Sequence, residues 1–114
     1  MKALVAGIVF ALMATVAIAQ DKAVTFSEYS ATTQAAFTHS QRCKAEITTS
    51  GVGERCSRFF EYLGRYQNVA AAFQARMANE GTAAFDGASS PTISGHEHFE
   101  ERLTTNIHYI TEMM

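Results

Sequence analysis

The sequence predicts an all-α fold: a disulfide-stapled antiparallel helical hairpin with a third, C-terminal helix completing a three-helix bundle. Apolar residues recur at alternating steps of three and four in three separate stretches. No run alternates apolar and polar residues long enough to form a strand. The only two cysteines, Cys43 and Cys56, lie at equal distances from a bend between Thr49 and Ser50, where a hairpin brings equidistant residues face to face.

An N-terminal signal helix precedes the bundle. Lys2 carries one positive charge, Ala3 to Ala19 carry none, and Ala17-Ile18-Ala19 has the small-x-small form that a signal peptidase accepts. The apolar run falls short of the roughly 20 residues that span a bilayer. Residues 1–19 therefore read as a signal peptide, and residues 20–114 as the exported helical domain. The expected destination is periplasmic or secreted, with membrane association only if the segment stays on as an anchor. An oxidising compartment favours pairing of Cys43 with Cys56. Closing so short a loop stabilises the fold by roughly 3 kcal/mol in the chain-entropy description.

The first helix is expected over about 26–47. Thr25 and Glu28 have the capping-box spacing, and Val24 and Tyr29 occupy the positions of a hydrophobic staple. Its inner stripe runs Phe26, Tyr29, Thr33, Ala36, Ser40, Cys43, Ile47. The middle of that stripe is small, so a neighbour can approach closely or insert a large side chain. The second helix is expected over about 52–79, with the stripe Val52, Cys56, Phe59, Leu63, Tyr66, Ala70, Phe73, Met77. Its aromatics complement the small residues of the first. Glu54–Arg58 and Glu61–Arg65 are acidic-before-basic pairs four apart. Gly81, Gly87, Ser89, Ser90, Pro91, Ser94 and Gly95 mark residues 80–95 as a loop around Phe85. The third helix is expected over about 96–113, with Phe99, Leu103, Ile107, Ile110 and Met114 inward and Glu97, Glu101, His108 and Glu112 outward.

Composition narrows the function. The chain has 114 residues, 47% hydrophobic and 18% charged, which excludes a disordered acidic polymer. A net charge of −2 argues against nucleic acid as a partner. Catalysis has no motif to rest on: no Gly-x-Ser-x-Gly elbow and no phosphate-binding glycine loop is present. No Cys-x-x-Cys-His sequence exists to attach haem covalently. His39, His96, His98 and His108 are the histidines a metal or non-covalent haem would draw on, but His108 shares its face with glutamates, as a solvated helix surface does. No cofactor is expected.

The reading is thus a small exported protein-interaction module without catalytic activity; a metal- or haem-binding periplasmic bundle is the alternative. The partner is another protein, or a second copy in a homodimer. Arg58, Arg65 and Arg76 form a column on the second helix suited to an anionic surface. Phe85, Tyr62 and Tyr109 are the aromatic contact candidates.

Overall fold

A computed structural model of the protein describes residues 23–114; the expected signal segment lies outside them. The described residues form three α-helices and no strand: α1 (Phe26–Thr49), α2 (Glu54–Glu80) and α3 (Ser90–Met113), with a 3-10 turn, Gly81–Phe85, between the last two. None of these helices is long and apolar enough to cross a membrane.

Helix α1 begins where Thr25 stops being helical. Thr25 Oγ1 accepts the amide of Glu28 at 3.0 Å, satisfying one of the donors that a helix start leaves free. All seven residues of its expected stripe are buried. Thr33, Ala36 and Ser40 are fully inaccessible, so α1 lies at the centre of the bundle, with α2 and α3 against it. The buried hydroxyl of Thr33 returns to the carbonyl of Tyr29 at 2.8 Å, and that of Ser40 to Phe37 at 2.6 Å, so neither is left unpaired.

The hairpin closes as expected. Cys43 and Cys56 form a disulfide with their Cα atoms 4.3 Å apart, both buried. Helix α2, however, starts at Glu54 rather than Val52, and Val52 is half-exposed outside it. The reason is Glu46. Its carboxylate accepts the amides of Gly53 (2.9 Å), Cys56 (3.0 Å) and Arg55 (3.2 Å), capping α2 from the end of α1. Those bonds, the one from Cys56 foremost, hold the Glu46 carboxyl below its ordinary range against the opposing effect of burial. Gly51, at φ +88°, makes the turn. A Cβ at Gly53 would stand 2.8 Å from Glu46 Oε2, so a side chain there pushes against the capping carboxylate. Replacing Glu46 with Ala is expected to lower the thermal midpoint by several degrees, and G53A to do the same by displacing the carboxylate; circular-dichroism melts check both.

The segment expected as a loop over 80–95 is mostly ordered, and α3 starts six residues before His96. Ser89 Oγ accepts the amide of Thr92 at 3.3 Å. Pro91 sits in the first turn, where its missing N–H costs nothing. Ser94 and Gly95 are therefore inside the helix rather than in the loop. The buried face of α3 is also rotated from the expected stripe. Leu103 and Ile110 are buried as expected, but His96 and Asn106 share their face, Phe99 and Ile107 are half-buried, and Met114 is 67% exposed.

Two apolar clusters result. One holds the disulfide, Ala36, Ile47, Phe59, Leu103 and Ile110; the other holds Phe26, Tyr29, Phe73 and Ala84. Phe85 folds back into the second cluster, its ring 5.2 Å from that of Phe26 and 5.8 Å from that of Phe73.

Candidate functional site

The hairpin places α1 and the first half of α2 side by side, and their shared outer face is basic and aromatic. His39 on α1 lies flat against Tyr62 on α2, centroids 4.0 Å apart and planes 16° apart. The guanidinium of Arg65 lies 4.8 Å from the Tyr62 ring centre. Beside this stack, His39, Arg42, Glu54, Arg55 and Arg58 line one cavity. Adjoining it, Thr32, Ala35, Tyr62, Arg65, Asn68 and Val69 line a more apolar groove. Partial burial, and then the guanidinium charges of Arg42 and Arg58, hold the His39 imidazole below its usual pKa.

The arginine positions follow from the disulfide. Arg42 precedes Cys43 and Arg55 precedes Cys56. Joining the cysteines brings these arginines to one cavity, and Arg58 joins them one turn on. The acidic counterweight is small. Arg58 meets Glu54 at 3.7 Å, with both side chains more than half exposed, and such a pair contributes little. The expected Glu61–Arg65 pair does not form among the described residues, since Arg65 lies over Tyr62 instead.

Of the residues singled out from sequence, Arg58, Arg65 and Tyr62 thus share this face. The others do not. Arg76 is only 13% exposed and turned inward: Nη1 donates to Val24 O at 2.9 Å and to Asp86 Oδ2 at 3.0 Å, Nη2 to Asp86 Oδ1, and Nε to Glu80 at 3.1 Å. Asp86, at φ 56°, also accepts the amide of Phe26 at 2.9 Å. The clamp ties the start of α1 to the α2–α3 connection, and it holds the Asp86 carboxyl at about 2, first through Arg76 and then through the Phe26 amide. Phe85 belongs to the core. Tyr109 is half-buried on α3, hydrogen-bonded to Thr48 at 3.3 Å with Lys44 Nζ 5.0 Å from its ring centre.

The four histidines are dispersed. His98 is exposed, and His108 is exposed and pairs with Glu112 at 3.1 Å. Among the described residues no three His, Cys, Asp or Glu side chains converge as metal ligands.

His96 is the buried one, on a face the apolar pattern of α3 did not mark. It is 4% exposed, packed between the rings of Phe26 (5.1 Å) and Tyr29 (4.4 Å). Its Nε2 lies 3.4 Å from Glu100 Oε1, yet neither ring nitrogen has a hydrogen-bond partner. Glu100 Oε2 accepts the hydroxyls of both Tyr29 and Tyr66, the latter at 2.7 Å. Burial pushes the Glu100 carboxyl up, but His96 and the two hydroxyls together outweigh it and hold the group at about 2. Burial, with Glu100 next, pushes both phenols well above their usual range. A second polar contact lies nearer the hairpin turn: Asn106 Nδ2 donates to Ser40 Oγ (2.8 Å) and Gln41 Oε1 (2.7 Å), and Asn106 Oδ1 accepts from Lys44 Nζ (3.2 Å). Both groups fix the register of α3 on α1.

Fold and surface together define a disulfide-stapled three-helix bundle with an arginine-rich aromatic face. No protein-family model matches the chain, and no curated protein or solved structure resembles it closely enough to count as a relative.

Proposed function

We propose that the protein is exported to an oxidising compartment and acts there as a non-catalytic interaction module, docking an anionic surface of a partner protein on the α1–α2 face. The observation that carries this reading is the gathering of Arg42, Arg55, Arg58 and Arg65 around the His39–Tyr62 stack, in a chain whose net charge is negative. Concentrating guanidinium groups on one face with so little acidic counterweight costs self-repulsion, which a complementary anionic surface relieves. Tyr62 and the adjoining apolar groove supply the contact area that charge alone lacks. The disulfide fits an oxidising compartment and fixes the two helices that carry the face.

The experiment is capture from a native envelope extract on immobilised protein, comparing wild type with R55E/R58E. Wild type is expected to retain a defined protein that elutes at roughly 0.5 M salt, where charges are screened within a few ångströms. The R55E/R58E variant, melting as wild type does, is expected to retain none of it. Recovery of the same chain would identify the partner as a second copy. Equal retention by both proteins, or retention of nothing, contradicts the reading.

A further inference from the structure

We propose that the cavity lined by His39, Arg42, Glu54, Arg55 and Arg58 is a binding site for a compact, multiply charged oxyanion of the phosphate type. The proposal goes beyond the partner-docking reading, with which it shares three arginines. Small-anion binding and protein capture are measured separately, so either can fail alone.

Three guanidinium groups border this one space, against a single carboxylate at its rim. That carboxylate, Glu54, reaches Arg58 at 3.7 Å, longer than a charge-assisted hydrogen bond, and is 85% exposed. Arg76 on the same helix shows what a saturated arginine looks like here, with all three nitrogens engaged by Glu80, Asp86 and Val24. Neither Arg42 nor Arg55 donates a side-chain hydrogen bond among the described residues. A monovalent carboxylate would satisfy one guanidinium fork. A phosphate dianion offers enough acceptor oxygens and charge for two or three. At about 390 Å³ the cavity also has room for an ester substituent or bridging water.

His39 gives the site a reporter. It stands against Tyr62 at the cavity wall, with Arg42 facing it from α1, and Glu54, Arg55 and Arg58 from α2; Arg65 lies over the far ring. Helix α3 meets α1 through Phe37, Ser40, Gln41, Lys44 and Thr48 and lines none of the cavity. An anion among the arginines offsets the guanidinium charges that, after burial, hold the imidazole below its usual pKa. Binding therefore raises the pH at which His39 takes up its proton, and by linkage the dianion binds more tightly once that proton is on.

The group reaches the site either as a free phosphate or monoester, or as the headgroup of a phosphatidate-type lipid. Nuclear magnetic resonance of the oxidised protein, titrated with inorganic phosphate and, separately, acetate at constant ionic strength, reads occupancy and the His39 midpoint together. Flotation with phosphatidylcholine vesicles, with and without phosphatidic acid, tests the lipid source. Expected is saturable phosphate binding that acetate does not match, with the His39 midpoint raised. R55Q/R58Q is expected to weaken it about tenfold or more while melting as wild type. H39Q is expected to bind with a flatter pH dependence. Binding only to phosphatidic acid vesicles, lost in R55Q/R58Q and in R42Q, assigns the site to the headgroup. No binding of either probe, acetate equal to phosphate, or an R55Q/R58Q variant that binds like wild type overturns the proposal.

Discussion

Replacing both cysteines, as C43A/C56A, is expected to lower the thermal midpoint by roughly 10–20 °C. The disulfide closes a loop with a sequence separation of 13, and removing it returns roughly 3 kcal/mol of chain entropy to the unfolded state. Packing adds to the loss. Both cysteines are inaccessible, in the cluster with Phe59 and Leu103, and alanine leaves the sulfur volumes empty. The Glu46 cap depends on the same closure, because Glu46 and Gly53 face each other across the bend as Cys43 and Cys56 do. Helix content at low temperature is expected to survive, since the apolar stripes of α1 and α2 remain. Circular-dichroism melts check this. Wild type with reductant, which keeps both sulfurs in the core, should fall less than the variant. A shift of only a degree or two in both would contradict this role.

Glu100→Ala is expected to destabilise the fold by about 2 kcal/mol, read by denaturant unfolding. It leaves the partly buried hydroxyls of Tyr29 and Tyr66 without their acceptor, and it removes the carboxylate beside the buried ring of His96. Glu100→Gln keeps one acceptor oxygen and should lose less. The pH dependence follows from the direction of each shift. The Glu100 carboxyl falls from 4.5 to about 2 on folding, and Asp86 from 3.8 to about 2. Their contributions are present above those unfolded values and are lost as pH falls toward 2. The Glu100→Gln variant should show a shallower loss of stability over that interval. At the alkaline end the signs reverse. The phenols of Tyr29 and Tyr66 are raised above 10.0, so their contribution holds below that pH and is lost above it. Their tyrosinate absorbance should therefore appear together with unfolding rather than ahead of it.

Periodicity made α1 fully legible, because all seven stripe residues are small or apolar enough to be read as inward-facing. The cysteine pairing was legible for a different reason, the symmetry about the bend. The same symmetry pairs Glu46 with Gly53, yet a charged residue four before the bend reads as surface until the amides it accepts are known. Helix α3 was harder. A polar residue on a buried face breaks an apolar count, and His96 and Asn106 are tolerated there only through partners on α1 and the rings around them. A step of seven back from Leu103 lands on His96, which was the available signal. The start of α3 turned on Ser89 and Pro91, residues that also mark loops. Arg76 looked like the end of a surface column, but the left-handed backbone at Asp86 turns a carboxylate onto it. Arg42 and Arg55 carried no signal of their own; the disulfide is what brings them together.

Both the stability of the bundle and its arginine face depend on a hairpin locked by Cys43–Cys56. The most direct measurement is the intact mass of the protein purified from native cells under thiol-blocking conditions. A chain beginning at Gln20, carrying no blocking group and lighter by two hydrogens than its reduced form, is the expected result. A chain that retains residues 1–19 and carries a blocking group on each cysteine would contradict it.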